Sequence, residues 1–188
     1  MGLPELSGRE SPVIRGVLEL RARQSVTDAR AKMKLHVRPA DLADARDADS
    51  IVMLLNSYAL EPVGLNGPLS RDVQEQLIPA LRALPNALVL LAFADDAAIG
   101  IAVCFVGFST FRARPLLNIH DLAVLPQHRG KGAGRALLQA AEDHARQEGY
   151  CRLTLEVLES NSGARALYRR FGFGNSTLSR FLVKPLDA

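Results

Sequence analysis

A chain of 188 residues can bury one sizeable core and is short for two ordinary domains. Its 48% hydrophobic and 23% charged residues are the balance of a soluble globular protein, and no run nears the roughly 18 consecutive apolar residues of a membrane span. The net charge of +3 gathers in residues 1–32, which hold six Lys/Arg against four Asp/Glu; the nearly neutral remainder has no cationic stripe with interleaved aromatics, so neither nucleic acid nor membrane is an expected partner.

Residues 1–32 carry scattered Arg, Gly, Pro and Ser without sustained periodicity and read as an extension, poorly ordered or non-native, ahead of a domain spanning 33–188. Their start lacks the basic, apolar and small-residue pattern of a secreted protein, so a cytoplasmic location is expected. Alternation from Met33 to Arg38 predicts a first strand. Asp41 at a capping position, followed by apolar Leu42, Ala45, Ala48, Ile51, Val52, Leu54 and Leu55, predicts a helix to Tyr58. Glu61 to Pro68 is a loop by its Gly, Pro and Asn content, and helical spacing resumes from Ser70 to Leu84, where Pro85 stops it.

The apolar runs Ala87 to Ala94 and Ala98 to Phe108, joined by Asp95-Asp96, predict a hairpin, and Leu116 to Leu125 predicts the next strand. Gly132 to Glu148 has the strongest helical pattern, with Glu142 and Arg146 one turn apart on its outer face. Cys151 to Leu158 predicts a strand, Asn161 to Phe171 a helix ended by Gly172, and Phe173 to Val183 closing strand material. Cys104 and Cys151 have neither disulfide nor zinc spacing and read as reduced core residues. The fold class is α+β. Its mixed central sheet is mostly antiparallel, and the strands at Leu116 and Cys151, joined through a helix, are parallel neighbours.

A strand, a short glycine-rich turn and a helix make an anion site, because unpaired N–H groups at the helix start point outward along the helix dipole. Arg129-Gly130-Lys131-Gly132-Ala133-Gly134 has this arrangement: small residues admit a diphosphate, and Arg129, Lys131 and Arg135 can neutralise it. A dinucleotide fold would want its turn after the first strand of a repeated βαβ unit, and a Walker loop would end Gly-Lys-Ser/Thr; Gly134-Arg135-Ala136 satisfies neither.

The stretch Leu122-Ala123-Val124-Leu125-Pro126-Gln127-His128-Arg129-Gly130-Lys131-Gly132-Ala133-Gly134 closely resembles the coenzyme A signature of the GNAT superfamily of N-acetyltransferases, with Arg129, Gly132 and Gly134 on the motif positions. The resemblance continues through Leu155 to Asn161 and Ala166-Leu167-Tyr168-Arg169-Arg170-Phe171-Gly172-Phe173, and is specific over Asn118 to Phe173. It implies the GNAT fold, acetyl-CoA as co-substrate, and a pantetheine arm entering between two splayed parallel strands, against backbone groups of Leu122 and Val124. It also implies that Asn161 contacts the coenzyme and that Tyr168 protonates the departing thiolate. The two lie seven residues apart, on one helix face.

The amine must attack uncharged, so a base is required. Three residues compete. Glu156 matches the glutamate assigned as base in enzymes that acetylate ribosomal-protein amino termini, while Asn118-Ile119-His120-Asp121-Leu122 resembles a stretch of polyamine acetyltransferases in which Glu-Asp precedes the coenzyme strand. Adjacent strand residues point to opposite faces, so a regular strand would turn only one of His120 and Asp121 to the cleft; a bulge would blur that rule. His36, His128 and His144 are dispersed, and no catalytic metal is expected. The resulting expectation is direct transfer of acetyl to a primary amine of a small molecule or peptide. The resemblance also implies that the Asn56 to Arg71 loop and Phe105 to Phe111 line the acceptor side. A non-catalytic acyl-CoA sensor and a transferase for another acyl-CoA, such as succinyl-CoA, are the alternatives. Family members commonly pair into homodimers; the residues themselves specify no assembly.

Overall fold

The structure is a computed structural model that describes residues 34–174 together with Lys184. The expected extension over 1–32, and all but the start of the closing strand expected over Phe173 to Val183, lie outside the described residues. Among the described residues, five strands form one sheet in the order β1 (Leu35–Pro39), β2 (Ala87–Ala94), β3 (Ala97–Ser109), β4 (Arg114–Val124) and β5 (Leu153–Leu155). The first four are antiparallel to their neighbours, and β4 and β5 are parallel. The hairpin between β2 and β3 turns at Asp95, whose φ of 53 lies in the left-handed region that aspartate tolerates better than most residues.

Helix α1 spans Ala45–Ala59 and begins later than Asp41. Asp41 instead makes a turn, its Oδ1 accepting from the Ala43 N–H at 2.8 Å, while Asp44 caps the helix by accepting from the N–H groups of Arg46 and Asp47. Asp47 is only 3% exposed. Its carboxylate accepts from both terminal nitrogens of Arg38 at 2.6 and 2.7 Å and from the Asp41 N–H at 2.8 Å, clamping β1 to the start of α1. The Arg38 hydrogen bond holds this carboxyl below the usual aspartate range, against the opposing effect of burial. Ser70 caps α2 (Arg71–Ala83), which stops before Pro85 as its sequence predicts.

Ile51 and Leu54 of α1 and Ile78 and Leu81 of α2 pack with Val89, Leu91, Ile101, Val103 and Ala123 on one sheet face. Each fully buried aliphatic side chain contributes roughly 1.5–3 kcal/mol. Helix α3 (Ala133–Gln147) covers the opposite face with Ala133, Leu137, Leu138, Ala141 and Ala145. Gly100 marks its close approach, since a Cβ there would lie 3.3 Å from Leu137 Cδ1. The expected Glu142–Arg146 ion pair is present on the outer side of α3. Helix α4 (Ser162–Phe171) follows and ends at Gly172, whose φ of 108 terminates it in left-handed geometry.

Strand β5 is shorter than the expected Cys151 to Leu158, because among the described residues it pairs with β4 alone and that ladder breaks off at Leu155. Cys104 is fully buried, as expected of a core residue. Cys151 precedes β5 and is only partly buried.

Candidate active site

Parallel pairing joins Leu117 to Leu153, Asn118 to Thr154 and Ile119 to Leu155, and stops there. Strand β4 runs on to Val124 while the chain beyond Leu155 leaves the sheet, so a gap opens along one edge of β4. A bulge coincides with this parting. Val103 pairs with Asp121 and Cys104 with Ile119, which leaves His120 as the extra residue of β4.

The bulge reverses the phase of β4. Before it, Ile119 shares a face with its partner Cys104, on the α3 side; after it, Asp121 and Ala123 share the α1/α2 face with their partners Val103 and Ile101. His120 leans edge-on to Phe105 with ring centroids 5.6 Å apart, and Phe105 packs against that same α1/α2 core. Both His120 and Asp121 are thereby directed to the α1/α2 side, which regular alternation would have forbidden.

Backbone groups follow the same phase. The Leu125 N–H donates to the Ile99 carbonyl at 2.9 Å, toward β3. Alternation then aims the amide groups of Leu122 and Val124 at the opposite edge, into the gap. Ala123 aims its backbone toward β3 and its side chain, 7% exposed, into the core, so it offers no group to the gap.

Beyond β4, a single 3-10 turn (Pro126–His128) leads into the glycine segment. Gly130 and Gly132 have φ of 73 and 96, where a side chain would be strained. Gly132 caps α3 without any side-chain acceptor, so the first N–H groups of this 15-residue helix are presented to whatever lies in front of them. Gly134 is small for packing: a Cβ there would stand 3.1 Å from Leu167 Cδ2 of α4.

The cations of the segment are already engaged. Lys131 donates to the Gln127 carbonyl at 2.9 Å, and Arg135 lies over the Phe171 ring at 5.9 Å. Arg129 donates through Nε to the Val124 carbonyl at 2.9 Å and pairs through Nη2 with Glu61.

Tyr168 of α4 is 8% exposed and stacks edge-on against Phe173 at 5.9 Å. Burial, with a smaller contribution from Tyr58, pushes its phenol up to about 12. Asn161 caps α4, its Oδ1 accepting from the Ala164 N–H at 3.1 Å, which leaves its amide nitrogen outside the cap. Burial raises the Asp121 carboxyl, with His120 pulling the other way. Cys104 is pushed up to about 12 by burial and by Asp121, so its thiol stays protonated at neutral pH. Glu156 is exposed at the mouth of the gap, and Asn118 Nδ2 donates to it at 3.3 and 3.4 Å and to Thr154 Oγ1 at 3.2 Å.

Two further residues belong to this constellation. Tyr58, from the last turn of α1, has its phenol raised by burial, then by Asp121 and by Glu61, and it adds to the shift of Tyr168. Glu61 opens the α1–α2 loop. Tyr58 was detectable as a polar-tipped aromatic seven residues after Ile51 on the buried stripe of α1; nothing in the local sequence marks Glu61. Among the described residues no group of three or more His, Cys, Asp or Glu could hold a metal ion, and no helix is long and apolar enough to cross a membrane.

The family model described as the acetyltransferase (GNAT) family matches residues 52–173, which include the parted strands, the glycine turn and Tyr168. The chain belongs to the GNAT family. It is a GNAT-type N-acetyltransferase, and the co-substrate of that family is acetyl-CoA. It is 32% identical over 138 residues to the uncharacterized N-acetyltransferase YhfO of Bacillus subtilis (strain 168), covering 72% of this chain and 89% of that protein. With the [ribosomal protein bS18]-alanine N-acetyltransferase of Escherichia coli (strain K12) it shares 40% identity over 70 residues, 37% of this chain and 47% of the relative. The crystal structure of a ribosomal-protein-alanine N-acetyltransferase from Brucella melitensis biovar Abortus 2308 superposes with a TM-score of 0.64 at 21% identity, over 80% of this chain and 99% of that one, a likeness of fold. The mixed sheet with one parallel pair is accordingly the GNAT fold.

Proposed function

We propose that residues 33–188 form a catalytic domain that transfers acetyl directly from acetyl-CoA to a primary amine of a small molecule or a peptide terminus. The single observation that carries this reading is the parting of β4 from β5 after Ile119 and Leu155, beside a helix start without a side-chain cap. The diphosphate lies on Gly130 to Gly134 and the α3 N-terminus, with Arg129, Lys131 and Arg135 around it. The pantetheine arm follows the edge groups of Leu122 and Val124, and the Asn161 amide nitrogen reaches the same ligand.

Tyr168 is the acid that protonates the departing thiolate. A phenol near 12 is fully protonated at neutral pH, but the phenolate left behind lies uphill of an ordinary thiolate near 8.5. The proton removed from the amine must therefore return to Tyr168 in the same turnover. We assign Asp121 as the base among the three candidates. Burial makes its carboxylate more basic, and it acts on Tyr58, which in turn acts on Tyr168. His120 and Glu156 are exposed at the rim. A protonated Cys104 thiol is no acyl carrier, which favours direct attack on the thioester.

The test is thiol release from acetyl-CoA with an amine panel: an alanine-initiated peptide, an aminoglycoside, streptothricin and spermidine. The peptide and streptothricin enter because this chain resembles the bS18-alanine enzyme and, at 47% identity over 68 residues, the streptothricin acetyltransferase of Streptomyces lavendulae. At least one amine is expected to raise thiol release tenfold or more over hydrolysis. Tight acetyl-CoA binding without acceleration by any amine would favour a sensor instead.

A further inference from the structure

Arg129 and Glu61 lie 68 residues apart in sequence, and their ion pair joins the glycine turn to the α1–α2 loop. It differs from an ordinary surface pair, because the Arg129 side chain and the backbone that carries Glu61 are each held from behind. Arg129 Nε is tied to the last carbonyl of β4, which fixes the guanidinium plane. Glu61 is only 19% exposed and stands on a folded loop. Its own carbonyl accepts from the N–H groups of Gly64 at 2.9 Å and Asn66 at 3.2 Å. The Ala59 carbonyl accepts from Leu65 at 3.0 Å and Gly67 at 3.2 Å, and Asn56 Oδ1 accepts from the Leu69 N–H at 2.9 Å. Gly64 sits so close to the end of α1 that an added Cβ would stand 2.3 Å from the Tyr58 carbonyl oxygen. Those hydrogen bonds all return to the loop itself and to the end of α1, so the pair with Arg129 is what ties the loop to the glycine turn.

We infer that Glu61 is a determinant of coenzyme affinity that competes with the diphosphate for Arg129, so that coenzyme binding unlatches the α1–α2 loop. The inference rests on the proposed coenzyme role of the glycine turn. Arg129 stands immediately before Gly130, at the mouth of the uncapped α3 N-terminus. A diphosphate bound there brings a second anion to a guanidinium that Glu61 already neutralises. Two anions sharing one cation repel each other, and each lowers the other's hold on it. Linkage makes the effect reciprocal: the factor by which acetyl-CoA weakens the Glu61–Arg129 pair is the factor by which Glu61 weakens acetyl-CoA. The loop released in this way is the one that carries Glu61 and follows Tyr58, on the acceptor side of the gap.

Glu61→Gln separates the alternatives without any acceptor. Calorimetric titration with acetyl-CoA is expected to give a dissociation constant about three- to tenfold lower in Glu61→Gln than in wild type at low salt, with the difference shrinking toward unity near 0.5 M salt as screening removes the competition. Amide exchange supplies the second readout. The Leu65, Gly67 and Leu69 amides are expected to exchange faster in Glu61→Gln, and faster in wild type once acetyl-CoA is added. A melting temperature within about 2 °C of wild type would establish that the variant is folded. Unchanged or weaker acetyl-CoA binding by folded Glu61→Gln, or loop amides slowed by coenzyme, overturns the inference, since Glu61 would then support the turn. Wild type that gives no heat with acetyl-CoA overturns the coenzyme assignment itself, and this inference with it.

Discussion

The two sides of the gap are built from different materials. The proposed coenzyme side, β4 through α4, presents backbone: edge amides of Leu122 and Val124, the uncapped start of α3, and glycines held in left-handed geometry or close packing. The proposed acceptor side presents side chains brought from distant segments, with Tyr58 and Glu61 at the end of α1 set against Asp121 of β4. A backbone site leaves a mark in sequence because only small residues permit it. A side-chain site leaves little, since any residue on a suitable face can contribute.

Substitutions can sharpen or break this contrast. The largest effect is expected at Tyr168→Phe, with kcat lower by about 100- to 1000-fold and acetyl-CoA affinity within about threefold; equal turnover would refute the acid role. Asp121→Asn should lower kcat by about 100-fold and remove the acidic limb of the rate profile, which in wild type lies above the ordinary aspartate value near 3.9 because burial raises this group. Stability should move the opposite way. A raised carboxyl contributes below its unfolded value and loses that contribution as pH rises through its folded one, so Asp121→Asn should melt no lower than wild type at pH 7, with the difference closing below about pH 4. On the backbone side, Gly132→Val places a β-branched residue at φ 96 and should weaken acetyl-CoA about 10- to 30-fold in calorimetry while leaving kcat at saturation within about threefold. Smallest is Glu156→Gln, exposed and loosely bonded, where kcat/KM should change by less than about threefold. A hundredfold loss there would move the base from Asp121 to Glu156.

The β2–β3 hairpin, the parallel pair and the glycine turn were legible because each follows from periodicity or from residues that sterics restrict. Helix α1 began later than its pattern suggested because Asp41 and Asp44 are both competent caps, and only the second is followed by an aspartate that Arg38 can clamp. Strand β5 was overestimated because alternation continues through Val157 although the partner strand has departed. The bulge left one trace, two adjacent polar residues, His120 and Asp121, between apolar Ile119 and Leu122. The Glu61–Arg129 pair left none, since a contact spanning 68 residues has no local signature.

The extra residue in β4 also dictates which kinds of genetic change this protein can absorb. Exchanging His120 for another residue keeps the count and disturbs only what that side chain touches. Deleting it would leave Ile119 opposite Cys104 and Asp121 opposite Val103, so Asp121 and the edge amides of Leu122 and Val124 would keep their directions while the bulge and the ring against Phe105 were lost. A three-nucleotide loss at this codon would thus flatten the strand where β4 and β5 part without turning any proposed contact residue to the other face.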